Sequence, residues 1–299
     1  MRILLLGSNG QVGWQLRRSL AVLGELTAVQ RDSAGLWGDL SRPQALTETI
    51  RAVAPDVIVN AAAYTAVDRA ESERAAAFAV NATACDVLAA EAARCGAWLV
   101  HYSSDYVFDG SGERPWRESD ATAPLNVYGQ SKLAGERAVT RHDRHLVLRT
   151  SWVFDTWGRN FLKSILHAAA ERERLEIVCD QWGAPTRAAL IADVTAHLLR
   201  RLQPELAGVY HLAAGGETNW HGYATLAVAE ARARGMALRT VPERIHAVAS
   251  SQYPTAAVRP RNSRLATGKL RAAFDLCLPS WEDGVRAVVA ELAACGARP

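Results

Sequence analysis

The chain has 299 residues, of which 49% are hydrophobic and 22% charged, a composition typical of globular proteins. Its formal net charge is only +3, and basic and acidic residues are interspersed, which argues against nucleic-acid binding. The five cysteines have no Cys-x-x-Cys spacing and no accompanying histidine cluster, so we expect reduced thiols and no metal site. The apolar run Ile3–Leu6 is too short for a secretory or membrane-spanning segment. We therefore expect a cytoplasmic protein without membrane contact.

A glycine-rich turn follows the first predicted strand. Residues 3–6 form an apolar run typical of a buried parallel strand, and a helical pattern begins shortly after it. The glycines between them recur every third residue, which lets the backbone approach a pyrophosphate and aims a helix N-terminus at it. The turn therefore predicts a dinucleotide site formed by Gly7, Gly10, Gln11, Val12 and Gly13.

The end of the second predicted strand, residues 26–29, bears on cofactor choice. It is followed by Gln30 and Arg31, and the first acidic residue is Asp32. An acidic residue at the strand end would bind the adenosine ribose and favour NAD, whereas an arginine can pair with a 2′-phosphate. We predict NADPH as the preferred cofactor, with NADH as a weaker alternative; the competing interpretation is that Arg31 is a surface loop residue. A short third strand is predicted to end at residues 37–40, with Asp39 and Leu40 near the adenine.

Small residues follow the fourth predicted strand, residues 56–60. Ala61 to Ala63 would let a cofactor lie against the backbone. A helix is predicted over 42–54 and a long one over 73–94, before a fifth strand at 98–104. Ser103-Ser104-Asp105 lies at the carboxyl end of that strand, the edge where open parallel sheets bind ligands. Further cofactor-binding residues expected in this region are Ala62, Ala63, Tyr64, Thr65 and Tyr102.

A tyrosine and a lysine lie four residues apart in the next predicted helix, which follows Pro124. Helical spacing puts Tyr128 and Lys132 on one face, one turn apart. An adjacent positive charge favours the phenolate, so such a pair can transfer a proton near neutral pH. The alternative is a pair of solvated surface neighbours, since the spacing alone is common. A sixth strand over 145–149 ends in Thr150-Ser151-Trp152.

Together these features resemble the extended short-chain dehydrogenase/reductases, and more narrowly the dTDP-4-dehydrorhamnose reductase family. The similarity is carried by Gly7-x-x-Gly10-x-x-Gly13, Ser104 and Tyr128-x-x-x-Lys132, in that order. Long runs support it across nearly the whole chain: GQVGWQL (10–16), PDVIVNAAAYTAVDRAE (55–71), HYSSDYVFDG (101–110), PLNVYGQSKLAGE (124–136), RTSWVF (149–154), DQWGAPT (180–186) and RPRNSRL (259–265).

The resemblance implies reduction of the 4-keto group of dTDP-4-dehydro-6-deoxy-L-mannose to dTDP-L-rhamnose, a precursor of cell-surface polysaccharides. It implies that Tyr128 is the proton donor and that Lys132 lowers its pKa and holds the nicotinamide ribose. Ser104 would hydrogen-bond the carbonyl oxygen, where family members often carry threonine. It also implies substrate contacts from Asp105 and Trp152. Mg²⁺ is not evident, because Gln15 stands where an acidic residue might have been expected.

The second half is less regular. Helices are predicted over 161–174, 187–202 and 221–234 and from Ser280 onward, strands over 176–179 and 208–213, and a loop over 180–186. We expect an α/β fold: a Rossmann-type doubly wound parallel sheet in residues 1–152, and a smaller α/β substrate domain mainly in 153–299, with some segments returning to the sheet. Arg259, Asn262 and Arg264 are candidates for holding the diphosphate, by charge and position.

Two other functions are compatible with these motifs. One is a nucleotide-sugar epimerase or dehydratase of the same superfamily, which keeps its NAD and usually has an acidic residue where Gln30-Arg31 stands. The other is a non-catalytic NADP-binding regulatory subunit, against which the intact Ser104, Tyr128 and Lys132 argue. The chain is expected to act as a monomer or a homodimer on a small-molecule dTDP-sugar.

Overall fold

The computed structural model describes residues 1–31, 33 and 35–295; Asp32, Ala34 and the segment 296–299 lie outside the described residues. The described strands are β1 (Arg2–Leu6), β2 (Glu25–Val29), β3 (Val57–Asn60), β4 (Trp98–Ser104), β5 (His145–Thr150), β6 (Val153–Phe154), β7 (Leu175–Val178), β8 (Trp182–Gly183), β9 (Thr186–Arg187), β10 (Gly208–His211), β11 (Thr218–Asn219) and β12 (Ile245–Val248). The described helices are α1 (Gln11–Ala21), α2 (Pro43–Val53), α3 (Val67–Ala70), α4 (Arg74–Phe78), α5 (Ala84–Cys95), α6 (Val127–Val139), α7 (Phe161–Glu171), α8 (Ala188–Leu199), α9 (Trp220–Ala233), α10 (Gly268–Phe274) and α11 (Trp281–Ala294).

A parallel sheet of six strands forms the centre, in the order β10-β5-β4-β3-β1-β2. Alternate residues of a strand point to opposite faces. Ile3 and Leu5 therefore pack in a core with α1 and α8, while Leu4 and Leu6 pack in a core with α2 and α5. Because both faces are covered, the strands need continuous apolar runs, as residues 3–6 show. This is the predicted doubly wound α/β fold, which is confirmed.

The chain reverses direction across the sheet between β1 and β3, which lie on adjacent positions with β2 on the outer side of β1. In open parallel sheets this reversal leaves a crevice at the carboxyl ends of the strands. The first glycine turn, the end of β3 and the end of β4 all face that edge, so the candidate site lies there.

A second core joins α7, α9 and α11, through residues such as Leu166, Tyr223 and Val289. The short strands β7 and β12 pair with each other outside the main sheet. The second half also supplies β10, which pairs with β5, and α8, which covers one sheet face next to α1. The division into domains at residues 152 and 153 stays a prediction.

The predicted third strand at residues 37–40 is wrong. This segment pairs with no strand; the Trp37 backbone N–H donates to the Thr49 hydroxyl at 2.7 Å. Gly38 lies so close to the neighbouring backbone that an added Cβ would be 2.7 Å from the Gln30 carbonyl oxygen. The segment thus crosses the end of β2 instead of extending beside it, and β2 becomes the sheet edge.

Two further predictions differ in detail. The expected helix over 73–94 is interrupted by a π-helical turn at Ala79–Thr83 between α4 and α5. Arg74–Cys95 is long and apolar enough to span a membrane by those two criteria alone, which is weak evidence because buried core helices share them. The expected loop over 180–186 contains β8 and begins β9, since β8 pairs with β11 and β9 with β6.

Candidate active site

The glycine turn after β1 forms a cradle of backbone. Gly7 has φ +75°, and a Cβ on it would lie 2.6 Å from the Ala62 nitrogen. A Cβ on Gly13 would lie 2.0 Å from the Gly7 carbonyl oxygen, so α1 packs directly on the turn. Gly10 precedes α1, whose first turn has no acidic residue and no side-chain cap. The free N–H groups of this helix end suit an anion, so the turn fits a dinucleotide pyrophosphate.

The other predicted cofactor residues surround this cradle unevenly. Gln11 in the first turn of α1 accepts a hydrogen bond from Asn160 at 2.9 Å, and Val12 beside it packs against the sheet core. Gln30 and Arg31 are exposed at the end of β2. The Asp39 carboxylate accepts a hydrogen bond from the Ser41 hydroxyl at 2.7 Å. Leu40 is only 4% exposed and packs in the core under the sheet, so its side chain is unavailable for an adenine contact.

The segment after β3 is held by one asparagine that sequence reasoning missed. Asn81, in the π-helical turn, accepts from the Tyr64 backbone N–H at 2.8 Å and donates to the Tyr64 carbonyl at 3.0 Å. It also donates to Ser131 of α6 at 3.0 Å. Ala62, Ala63 and Thr65 belong to the same short segment between β3 and α3. Asn81 therefore ties the cradle wall to the helix with the candidate catalytic residues, and π-turns are often found at such sites.

Ser104 ends β4 and lies against Tyr128. The Ser104 hydroxyl donates to Asp105 Oδ1 at 2.9 Å and accepts from the Tyr106 N–H at 3.2 Å, and it is near enough to the Tyr128 phenol to lower the pKa of that group. The start of α6 can pack this closely on the segment after β4 only because residue 129 is glycine: a Cβ there would be 2.2 Å from the Tyr106 carbonyl oxygen. Asn126 caps α6 by accepting from the Gly129 N–H at 2.8 Å. These contacts set the start of α6 and thereby the position of the phenol.

Tyr128 and Lys132 share a helix face but meet different partners. Burial raises the pKa of Tyr128, while the hydrogen bond with Ser104 lowers it. The Lys132 amine, only 2% exposed, donates to the Tyr102 carbonyl at 2.6 Å instead of to the phenol. Burial lowers the pKa of Lys132, opposed by the nearby Cys85 and Glu136. The expected lowering of the Tyr128 pKa is therefore absent here, because desolvation outweighs the distant amine.

Asp105 is a buried carboxyl group beside Ser104. Burial raises the pKa of Asp105 to about 6, whereas hydrogen bonds with Ser263 and Ser104 lower it. A raised pKa means that the folded state binds the proton more tightly than the unfolded chain does. The stabilising contribution of Asp105 is thus complete at pH values below about 4 and is lost as the pH rises through about 6.

We expect Asp105→Asn to become relatively more stable as the pH rises, because asparagine cannot ionise. The Tm of the variant minus that of the wild type should increase between pH 4.5 and pH 8. The corresponding change in free energy of unfolding is on the order of 2 kcal/mol, because a pKa difference of about two units is worth ~3 kcal/mol in total and part of that loss occurs below pH 4.5. Thermal unfolding without ligands measures this. A difference in Tm that stays constant over that range would contradict it.

Trp152 lies between β5 and β6 in a strained conformation, with φ +49°. Its ring stacks on Trp220 of α9 with centroids 3.6 Å apart. Gly183 packs on the ring edge, since a Cβ there would be 2.7 Å from Trp152 Cε2. Gln181 accepts from the Trp220 indole N–H at 3.1 Å. Sequence reasoning singled out Trp152 but missed Trp220; the DQWGAPT run was the only sign of this neighbourhood.

Arg259 lies at the rim of the site and already has partners. It pairs with Asp68 at 2.5 Å and donates to the Tyr106 hydroxyl at 3.2 Å. The Tyr106 ring contacts Tyr128 edge-on, with centroids 5.5 Å apart. Of the two other candidates for the diphosphate, Asn262 donates to the Ser111 and Arg114 carbonyls, and Arg264 donates to Asn262 at 2.9 Å. Those two residues brace loops.

Comparison with known proteins identifies the family to which the chain belongs. A family model described as RmlD substrate binding domain matches residues 1–294. The chain belongs to this family. It is 53% identical over 295 residues to the dTDP-4-dehydrorhamnose reductase of Salmonella typhimurium strain LT2, covering 98% of each chain. The recognised resemblance is thereby confirmed.

Solved structures of the family share the fold. A dTDP-4-dehydrorhamnose reductase from Bacillus anthracis, solved in complex with NADP, is 32% identical, with a TM-score of 0.88 and coverage of 97% of this chain and 99% of that one. An orthologue from Clostridium acetobutylicum is 27% identical, with a TM-score of 0.89 and coverage of 98% and 99%. Within residues 1–31, 33 and 35–295, no group of three His, Cys, Asp or Glu side chains is arranged to hold a metal ion.

Proposed function

We propose that the chain reduces the 4-keto group of dTDP-4-dehydro-6-deoxy-L-mannose with NADPH and forms dTDP-L-rhamnose, the last step of dTDP-rhamnose biosynthesis. The observation that carries the proposal is the placement of Tyr128 beside Ser104 at the carboxyl edge of the sheet, next to a backbone cradle that fits a dinucleotide. Membership of the RmlD substrate binding domain family, and 53% identity to a reductase of that name, support the substrate.

The residues of the chain account for the proton and the charge. Reduction converts the C4 carbonyl into an alcohol, so a hydride reaches carbon and a proton reaches oxygen. When bound, the nicotinamide supplies the hydride. Tyr128 donates the proton, and its raised pKa keeps the phenol protonated and ready to donate. Ser104 turns its hydroxyl from Asp105 to donate a hydrogen bond to the carbonyl oxygen as negative charge develops on it.

Lys132 and the aromatic wall serve placement. The Lys132 amine donates one N–H group to the Tyr102 carbonyl at 2.6 Å and keeps one for the cofactor ribose on the ligand side, while its positive charge stabilises the phenolate that Tyr128 becomes. Asp105 lies beside Ser104 and can accept from sugar hydroxyls. Trp152, braced by Trp220, offers a flat apolar surface to a sugar ring. Arg259 contributes positive charge at the rim for the diphosphate.

An assay of NADPH oxidation with dTDP-4-dehydro-L-rhamnose, followed by identification of the product sugar, tests the proposal. A reductase consumes NADPH in proportion to the ketosugar added. An epimerase or dehydratase of the same superfamily changes the sugar without net consumption of NADPH. Tight NADP binding with no turnover would instead indicate a regulatory subunit. Either of these two results would overturn the proposed reaction.

We expect Arg31→Ala to reduce the preference for NADPH. Arg31 is exposed at the end of β2, where its guanidinium can meet a 2′-phosphate. Loss of a charge-assisted hydrogen bond costs about 1.5–3 kcal/mol, so kcat/KM for NADPH should fall roughly 10- to 100-fold while that for NADH changes little. Arg42→Ala, which removes a cation beside Asp39, is the matched control. Equal losses in both variants, or none in Arg31→Ala, would refute the assignment.

We further infer that the reaction takes place in the cytoplasm. The five cysteines have no paired spacing, which suggests reduced thiols, and thiols stay reduced in that compartment. The chain acts as a monomer or a homodimer. Light scattering coupled to size-exclusion chromatography distinguishes these two states.

A further inference from the structure

A buried polar group lies behind Lys132 that the proposed chemistry does not use. His101 of β4 is only 1% exposed, and its Nε2 atom is 3.4 Å from the Lys132 amine. Its Nδ1 atom is 3.2 Å from the Asn60 amide nitrogen and 3.8 Å from Cys85 Sγ. The imidazole ring thus joins the end of β3 and α5 to the catalytic helix.

The hydrogen-bonding needs of a buried ammonium give this ring a role. Lys132 has three N–H groups and no acceptor, and an ammonium buried without acceptors is costly. The Tyr102 carbonyl takes one N–H at 2.6 Å, and His101 Nε2 is placed to take a second. The third remains for the ligand side. With both contacts, the amine is held from two directions on the sheet side.

The ring must be uncharged to accept from the lysine. Burial lowers the pKa of His101 well below its usual value, and the positive charge of Lys132 lowers it further. A neutral imidazole carries its proton on one nitrogen only. The lysine ammonium favours the proton on Nδ1, which leaves Nε2 free to accept.

Asn60 acts on the ring in the opposite sense. Its carbonyl oxygen accepts from the Ala62 N–H at 3.2 Å, which turns its NH₂ group toward His101 Nδ1. That contact favours the tautomer with its proton on Nε2. An Nε2–H group suits a lysine amine that is uncharged and can accept a hydrogen bond. The tautomer of the ring is therefore linked to whether Lys132 is charged.

We propose that His101 is a positioning residue for the reduction: its neutral ring accepts a hydrogen bond from Lys132 and holds the charged amine in place behind Tyr128. This rests on the proposed reductase function. The titratable groups that face the amine are His101 from β4, Cys85 from α5 and Glu136 from α6 itself. Burial raises the pKa of the Cys85 thiol to about 11, so that group stays neutral in the assay range.

The test compares His101→Leu, which removes the acceptor, with His101→Gln, whose amide oxygen can replace it. We expect His101→Leu to lower the single-turnover rate of NADPH oxidation by about tenfold or more, with little change in KM for the dTDP-sugar. The rate should also begin to fall at a lower pH than in the wild type on the alkaline side, because an ammonium without its acceptor loses its proton more readily. His101→Gln should restore most of the rate and the alkaline limb.

A matched control is His142→Leu. His142 is also buried, but it contacts the Ala97 carbonyl at the opposite end of β4, so its rate and pH profile should match the wild type. Equal losses in His101→Leu and His101→Gln would indicate packing alone and overturn the proposal. So would a wild-type alkaline limb in His101→Leu. If His101→Leu does not fold, the test rests on the pH–rate profile of His101→Gln. An alkaline limb shifted to lower pH in that variant, by as much as loss of the acceptor predicts, would also overturn the proposal.

A second measurement does not depend on turnover. In ¹⁵N-labelled full-length protein, the His101 ring nitrogens are identified as the signals that disappear in His101→Gln. We expect a neutral ring with its proton on Nδ1, shifting toward the Nε2 tautomer in Lys132→Met, where no ammonium competes with Asn60. A ring protonated at pH 7, or a tautomer unchanged in Lys132→Met, would contradict the inference. Failure of the ketosugar assay in the wild type would instead reject the proposed reaction and leave this result standing.

Discussion

Tyr128→Phe is expected to lower kcat by about 10²- to 10⁴-fold while leaving NADPH binding nearly intact. The phenol hydroxyl is the group that meets Ser104 at the end of β4, and phenylalanine keeps the ring while removing the proton. The ring itself packs edge-on against Tyr106, a contact that phenylalanine retains. The loss should therefore appear in kcat and not in folding or in the dissociation constant for NADPH. Single-turnover kinetics and fluorescence titration with NADPH measure the two quantities separately.

Tyr210→Phe is the matched control for that result. Tyr210 is also a buried tyrosine with an engaged hydroxyl, which donates to the Leu206 carbonyl at 2.9 Å. It lies on β10 at the far edge of the sheet, so its loss should leave turnover unchanged. Near-normal turnover in Tyr128→Phe would refute Tyr128 as the proton donor.

Arg149→Met is expected to destabilise the fold by about 3–5 kcal/mol, because it leaves the Glu136 carboxylate buried without its partner. The pair is 6% and 4% exposed and bidentate, with N–O distances of 2.9 and 2.7 Å. Glu136 lies in α6, one turn beyond Lys132, and Arg149 lies near the end of β5. The ion pair thus fastens α6, which carries Tyr128 and Lys132, to the sheet. Urea unfolding measures the loss as a lower midpoint.

The double variant Glu136→Leu/Arg149→Met should be more stable than Arg149→Met alone, because neither charge is then left unpaired. Arg18→Met is the surface control. It breaks an ion pair with Asp193 in which both side chains are more than half exposed, and its midpoint should stay close to the wild type. A double variant no more stable than Arg149→Met would show that packing of the arginine, not its charge, carries the effect.

Local sequence pattern was sufficient to predict the main strands, the glycine turn and the helix face of this protein. Apolar runs such as residues 3–6 predicted buried parallel strands, because a strand covered on both faces has apolar residues at consecutive positions instead of an alternation of apolar and polar residues. Glycines at positions 7, 10 and 13 predicted a close backbone approach, and a Cβ on Gly13 would indeed lie 2.0 Å from the Gly7 carbonyl oxygen within the turn. Four-residue spacing predicted that Tyr128 and Lys132 share a helix face. These inferences hold because helix and strand periodicity are properties of consecutive residues.

The same local rules misplaced the strand at 37–40. Its residues have a suitable composition, but a strand exists only where another strand offers backbone partners, and here Thr49 offers a hydroxyl instead. The Leu40 side chain packs in the core with residues of α2 and α5, and its expected place near the adenine stays a prediction.

The sequence by itself determined the family and the parallel sheet, and it predicted which side chains carry the chemistry. Only the tertiary structure decided what those side chains meet. Lys132 reaches the Tyr102 carbonyl and His101, some 30 residues away, instead of the phenol one turn before it. Trp152 acquires Trp220 as its support, and Arg259 acquires Asp68. The physical reason is that spacing along a helix sets direction, whereas hydrogen-bond partners and desolvation depend on segments brought together only by the packed sheet.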